Sequence, residues 1–387
     1  MRHWLLVVPL LSVTLFAPAP AAAQAPDAKK SPGDNAALKY WQAFAFLPNL
    51  DKDQEKLLQD WNTVPLDAAA LKLIDKYRIC RPYLHRGAKL RHCDWSPDYE
   101  DGIRMLLPHL VRSMTLARLA ALNARHEFAQ GHAQAGWDDV MAILALGRHA
   151  EVGPSMIGKL VGYRIEWMAI EAVVPHLPEL KAAFPATAPA VLDALPAGPT
   201  LPQLVRVEKE TGAAWLSREL KEAERRKAGS WREVWKEMLS APGEGDIVDP
   251  NLVKSAQTYE QAIKLLEDVL PFYDEEAKIL ELPWKEFDTQ YPEFVKKAKA
   301  ANALAPYLLP NLDKIIPADR RARAQLALFK AAVAVVQGGP DKLKDVPDPF
   351  GDGPFEYKAL DKGFELKSKL IFRGDPVKLT VGQGKKE

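Results

Sequence analysis

The chain predicts a mostly α-helical fold of packed helical hairpins ending in a small C-terminal β-hairpin, and three stretches carry that expectation. Over residues 104–130, apolar or small side chains stand at 107, 110, 114, 117, 121, 124 and 128. That alternation of threes and fours is one face of a long amphipathic helix. Residues 157–174, IGKLVGYRIEWMAIEAVV, read as a helix with almost no solvent face. Gly158, Gly162, Ala169 and Ala172 fall on a small-residue side, with Leu160, Tyr163, Trp167, Ile170 and Val174 opposite, the pattern of a buried helix. Beyond Gly338-Gly339-Pro340, residues 355–360 and 364–370 alternate as strands do around Asp361-Lys362-Gly363, which predicts a hairpin.

Residues 1–25 have the form of a secretory signal: Arg2, a short apolar run over 4–16, and Ala23-Gln24-Ala25 as a small-residue cleavage site. The run is shorter than the roughly 20 residues that span a bilayer. An exported protein, periplasmic or extracellular, with no transmembrane span after signal removal is therefore expected. Residues 26–33 form a Pro/Ala/Lys tail. Short helices are expected over 35–46 and 51–61, and a third over 66–84 that Pro82 should stop or kink. The helix over 104–130 ends at Gly131, and the next, over 137–147, carries Asp138 and Asp139 in its first turn and Arg148 and His149 at its end, as the helix dipole favours.

Ser155 caps the buried helix and Pro175 stops it. Its four charges, Lys159, Arg164, Glu166 and Glu171, are paired at seven-residue spacing, too far to bond along the helix, so their partners are expected on neighbouring helices or in water. The Pro/Ala-rich stretch 181–199 is the expected linker between an N-terminal subdomain, 34–180, and a second helical subdomain, 200–339. Thr200 opens a capping box with Gln203 and begins a helix running to about 227. Ser230 opens a second box, Asp249-Pro250 starts a further helix, and a last helix covers 317–336. The region 340–387 holds the hairpin and tail, with residues 377–381 as a candidate third strand lying on the helices.

The two helices around Gly131 resemble a tetratricopeptide hairpin, with small residues at Ala124, Gly131 and Gly136, though no 34-residue period recurs. The segments Asp348-Pro349-Phe350-Gly351, Pro354-Phe355-Glu356-Tyr357 and Gly363-Phe364-Glu365-Leu366 resemble the ending of a set of uncharacterised exported bacterial helical proteins. The likeness extends to 159–170 and 207–216; it implies a fold and an export route without an activity. The ending is also similar, over under a tenth of the chain, to the C-terminal sheet of type II secretion pseudopilins, whose N-terminal methylation-type helix is missing here.

With 52 basic and 51 acidic residues and a formal net charge of +1, the chain has no global field to recruit nucleic acid or an anionic membrane. Cys80 and Cys93 are close in sequence, and in an oxidising compartment a bridge between them is expected, contributing up to about 3 kcal/mol; two free buried thiols are the alternative. No HExxH, CxxC pair, G-x-S-x-G elbow or phosphate loop occurs, so no cofactor or metal is expected, although His109, His126 and His149 stand on helices that packing can bring together. The basic cluster Lys76, Arg78, Arg81, Arg86, Lys89 and Arg91, interleaved with Tyr77 and Tyr83, is either a solvated face paired with the acidic turn at Asp94, Asp98, Glu100 and Asp101 or a patch for a polyanion. Glu166 and Glu208 are the candidate catalytic carboxylates, able to serve acid–base hydrolysis if they face each other across an interhelical groove. The expected function is a binding or scaffold protein of the bacterial envelope, its partner an envelope protein or polymer. A hydrolase using those carboxylates and an accessory to a secretion apparatus are the alternatives.

Overall fold

The computed structural model describes residues 34–153, 155–182, 192–239 and 254–382. The expected signal segment, the tail at 26–33, much of the 181–199 linker and the helix start at Asp249-Pro250 lie outside them. Fourteen α-helices and one three-stranded sheet make up the described structure. The N-terminal helices are α1 (Ala36–Ala45), α2 (Lys52–Gln59), α3 (Ala68–Tyr77), α4 (Arg81–Ala88), α5 (Pro108–Ala129), α6 (Ala133–Ala150) and α7 (Met156–Val173). The expected helix over 66–84 is two helices, because Pro82 lies in the first turn of α4, where its missing N–H would have had no partner in any case.

The long helix starts four residues later than its periodicity suggests, at Pro108. The preceding 3₁₀ turn is broken at Gly102, whose φ is 52°. A Cβ there would lie 2.1 Å from the Trp215 ring, and the Trp215 indole donates to the Glu100 carbonyl at 2.8 Å. Glycine is thus required twice, for the left-handed backbone and for the tryptophan packed on it.

Helices α6 and α7 pack backbone to backbone. A Cβ on Gly162 would stand 2.3 Å from Cγ of Glu151 and 2.7 Å from the Gly147 carbonyl oxygen, so the small side of α7 is its contact with α6. Ser155 caps α7 as expected, its hydroxyl accepting from Ile157 N. Two of the four α7 charges find partners on or next to α6: Lys159 Nζ lies 2.5 Å from Glu151, which is fully buried, and Glu166 pairs with Arg148. The other two depart from expectation. Arg164 and Glu171 meet each other at 3.4 Å, two extended side chains closing a gap of two helical turns.

The second group comprises α8 (Leu201–Thr211), α9 (Ala213–Arg226), α10 (Trp231–Leu239), α11 (Tyr259–Ile279), α12 (Trp284–Ala301) and α13 (Ala305–Leu308). Thr200 and Gln203 form the predicted capping box, and Thr258 with Gln261 forms another. The helix expected to run on to 227 breaks at Gly212 into α8 and α9. Helix α14 (Leu312–Gly338) starts five residues earlier than predicted, capped by Asn311, and carries Pro317 inside it. Leu312 and Ile315 join the core of α8, α11 and α12, whereas Ala324, Leu328, Phe329 and Val333 join the core of α1–α7. One helix therefore ties both cores together.

The predicted hairpin is a three-stranded antiparallel sheet in the order β1 (Glu356–Leu360), β2 (Gly363–Phe372), β3 (Asp375–Val381). Phe364, Leu366, Val377, Leu379 and Val381 are buried in the same core as the second half of α14, which supplies the apolar cover that two strands alone would lack. Arg373 and Gly374 both have positive φ, the two-residue turn that suits antiparallel twist. The pairing of β2 with β3 is irregular between Lys367 and Ile371, and Asp348 fills that gap. Its carboxylate accepts from Lys369 N at 2.6 Å, from the Ser368 hydroxyl at 2.9 Å and from Phe350 N at 3.1 Å. The Asp-Pro-Phe-Gly turn is thus pinned to the sheet by its first residue.

No bridge joins the cysteines. Cys80 and Cys93 are both free and buried: Cys80 precedes α4, while Cys93 is fixed beside the start of α1 by the Asn35–His92 bridge. Burial pushes the Cys80 thiol up to about 11 and Cys93 higher still, which leaves both protonated and unreactive at neutral pH. The α6–α7 seam has a direct test. Gly162→Ala overpacks it and is expected to cost about 1–3 kcal/mol of stability in urea denaturation; an unchanged midpoint would show that the two backbones are not in contact.

Candidate functional site: a cleft organised by Asp139

Helix α6 enters the core with a carboxylate. Asp139 has no exposure to solvent, and a buried carboxylate persists only when donors replace its lost hydration. Four side chains from three other helices do so. Arg81 Nε lies 2.9 Å and His85 Nε2 2.6 Å from Oδ1, the Tyr77 hydroxyl donates to the same oxygen at 3.3 Å, and Asn123 Nδ2 donates to Oδ2 at 2.6 Å. An ionised carboxylate only accepts, so the His85 proton resides on Nε2. Arg81 also donates to the Ala135 carbonyl at 3.1 Å. Burial opposes its charge, but Asp139 outweighs that and holds the guanidinium above its ordinary pKa.

The far side of this network is a cleft of about 470 Å³ lined by Arg78, Arg81, His85, Asn123, His126, Glu127 and His132, with Ile74 and Pro82. A second depression of about 320 Å³ shares His85 and continues over Ala88, Met141, Ala142, Ala145 and Leu195, with Lys89 and Asp138 on it. These volumes are in the range of small-molecule sites. Polar donors gather at one end and apolar side chains at the other.

The six basic residues singled out from the sequence separate here. Arg78 and Arg81 line the larger cleft and Lys89 the smaller. Arg78 also meets Asp75 at 3.3 Å, with both side chains exposed. Lys76 reaches Gln54 at 3.5 Å, Arg86 lies over the Tyr83 ring, and Arg91 is exposed. The strongest partner of the cluster is Asp139, not the acidic turn at 94–101. Asp139, His85 and Asn123 were missed by sequence motifs. One signal was present: Asp139 shares its face of α6 with Ala142, Ile143 and Leu146, all buried, and a charge inside an apolar stripe demands a partner.

Of the histidines considered together, His126 lines the cleft, whereas His109 stacks on Trp95 at 4.5 Å and His149 Nδ1 meets the Tyr40 hydroxyl at 2.7 Å. Burial lowers both core histidines to about 4. Among the described residues no group of three His, Cys, Asp or Glu is placed to hold a metal ion.

Glu166 and Glu208 belong to different networks. Glu166 pairs with Arg148 in the glycine seam; burial raises its pKa and that of Glu151 despite their cationic neighbours. Glu208 accepts from Met156 N at 3.2 Å, ten residues before Glu166 on α7 and so about 15 Å away along the axis. Its carboxylate neighbour is Glu276 of α11, which accepts from the Tyr291 hydroxyl at 3.3 Å. Burial raises Glu208 to about 7 and Glu276 to about 8, and the Glu208 charge adds to the rise at Glu276. No protein-family model matches the chain, and no curated protein or solved structure matches it either.

Two outcomes follow from these carboxylates. Asp139→Ala leaves Arg81 without its counter-ion and is expected to cost about 3 kcal/mol in urea denaturation, more than Asp139→Asn; equal and negligible costs would remove Asp139 from its organising role. Glu276 binds its proton more tightly folded than unfolded, so it lowers stability as pH rises from the ordinary glutamate range to about 8. Glu276→Gln removes that loss: it is expected to match the parent near pH 4 and to exceed it above pH 8 by an amount on the order of 2–4 kcal/mol. Parallel stability profiles for the two proteins would contradict this.

Proposed function

We propose that this is an exported ligand-binding protein of the bacterial envelope, whose cleft between α4, α5 and α6 takes an anionic group attached to an apolar chain. The observation that carries the reading is the Asp139 network. It fixes Arg81 and His85 on the wall of the larger cleft, so part of the side-chain entropy of holding an anion is spent during folding. Arginine N–H groups suit carboxylate and phosphate oxygens. His126, His132 and Asn123 add donors, and the depression over Met141, Ala142, Ala145 and Leu195 gives an apolar extension the opposite preference. Export is supported by the signal-like N-terminus, and no described helix is long and apolar enough to cross a membrane.

The hydrolase reading is weakened because Glu208 of α8 meets the first residue of α7, Met156, ten residues before Glu166. His85, with its Nε2 proton held by a buried carboxylate, is the residue around which an acid–base reading would now be built.

A carboxylate series from acetate to octanoate, with inorganic phosphate beside it, tests the binding reading by calorimetry. Affinity is expected to rise along the series by up to about 0.8 kcal/mol for each methylene that becomes buried, and to fall about tenfold in Arg78→Ala. Arg78 has only an exposed ion pair to lose, so folding is not the confounder. No binding by any member, or binding that ignores both chain length and Arg78, would overturn the proposal.

A further inference from the structure

A second cavity lies away from the Asp139 cleft, between α11, α12 and the start of α14. It has a volume of about 90 Å³, and Glu276 lines it with Tyr291, Phe294 and Leu309, while Lys299 and Asp313 stand among its more exposed lining residues. Glu276 is 1 % exposed, and only one of its oxygens is engaged: Oε1 accepts from Tyr291, while Oε2 has no hydrogen-bond partner. Buried carboxylate oxygens are normally satisfied. An unpartnered one on an open cavity therefore marks where a donor is to be supplied.

We infer that this cavity binds the ammonium head of a primary alkylamine, Glu276 Oε2 accepting from the N–H groups and the Tyr291 and Phe294 rings surrounding the attached carbons. Three features select this chemistry. Aromatic walls favour an organic cation, and Tyr291 stacks on Phe287 at 4.9 Å, which fixes its ring. A hard metal ion would require six or more oxygen ligands, and among the described residues not even three His, Cys, Asp or Glu are grouped to hold one. The volume exceeds what one water molecule needs, so the cavity admits an ammonium head and the carbon next to it.

The titratable groups facing Glu276 are Glu208 from α8, Tyr273 on its own helix, Tyr291 from α12, and Asp313 and Lys299 around the cavity. Amine binding requires the ionised carboxylate, so each ammonium bound at neutral pH displaces a proton from Glu276. Affinity then rises from pH 6 toward pH 9, while the amine itself stays charged. Lys299, a like charge at the cavity, opposes the ligand.

Calorimetry with ethylammonium chloride decides the matter, run in two buffers of different ionisation enthalpy so that proton release is read directly. Ethylammonium is expected to bind with proton release, at least about tenfold more weakly to Glu276→Gln, and about two- to fivefold more tightly to Lys299→Ala. Ethanol serves as the neutral probe and tetramethylammonium as a cation without N–H donors, and neither is expected to bind. Nα-acetyl-lysinamide distinguishes the source: tighter binding than ethylammonium assigns the cavity to a lysine of a protein partner, weaker binding to a free amine. Ethylammonium binding that is absent, or equal in the parent and Glu276→Gln, overturns the inference. Because Glu276→Gln is nearly isosteric and Lys299 is exposed, thermal unfolding of both variants separates a lost ligand from a lost fold.

Discussion

A carboxylate removed from water must be met by donors from the chain itself, and Asp139 is met by four. Tyr77 comes from α3, Arg81 and His85 from α4, and Asn123 from α5, while Asp139 is carried by α6. Apolar contacts between these helices tolerate small rotations, because dispersion is non-directional. Hydrogen bonds to one carboxylate do not, so this single residue fixes how four helices are turned toward one another. The cleft follows from that constraint: three of the four side chains held by the carboxylate, Arg81, His85 and Asn123, also line the opening beyond it.

Three buried acidic sites show three different solutions to one electrostatic problem. Asp139 is satisfied by several donors. Glu151 and Glu166 are each paired with a single cation, Lys159 and Arg148, in the seam where glycines bring two helices into backbone contact, and Glu151 Oε1 is left without a hydrogen-bond partner there. Glu208 and Glu276 have neither, and burial raises both toward neutrality. Desolvation alone is therefore not the mark of function, since all three sites share it. Glu151 also keeps an unpartnered oxygen; what distinguishes the third is that the unpartnered oxygen belongs to a residue lining a cavity.

Much of the architecture was legible because local signals agreed with tertiary ones. The caps at Ser155 and Thr200, the small-residue face of α7 and the alternation of β2 each combine a local preference with burial in the same direction. The departures arise where distant contacts decide. Gly102 breaks the approach to α5 because Trp215, more than a hundred residues later, packs against it, and α14 runs back past Pro317 because its first turns complete the second core. Cys80 and Cys93 were close in sequence, yet each is drawn into the core by its own segment. The site was less legible than the fold. With a helix expected to begin at 137, Asp139 stands beside Asp138 in a first turn, where the helix dipole explains an acidic residue without any partner; α6 begins at Ala133 instead, which puts both beyond its first turn, and only the identity of its face on α6 argued for a partner. Glu208 could be singled out as an acidic residue on a capped helix, but its neighbour Glu276 lies on another helix and no spacing connects them.

The central claim, that a buried Asp139 sets the wall of the cleft, is most directly tested by the ring nitrogens of His85. Long-range nitrogen–proton correlation spectra of the imidazole ring report which nitrogen carries the proton. The account predicts a single fixed tautomer with the proton on Nε2, reverting to an averaged pair of tautomers in Asp139→Ala. A proton on Nδ1, or the same averaged signal in both proteins, would contradict it.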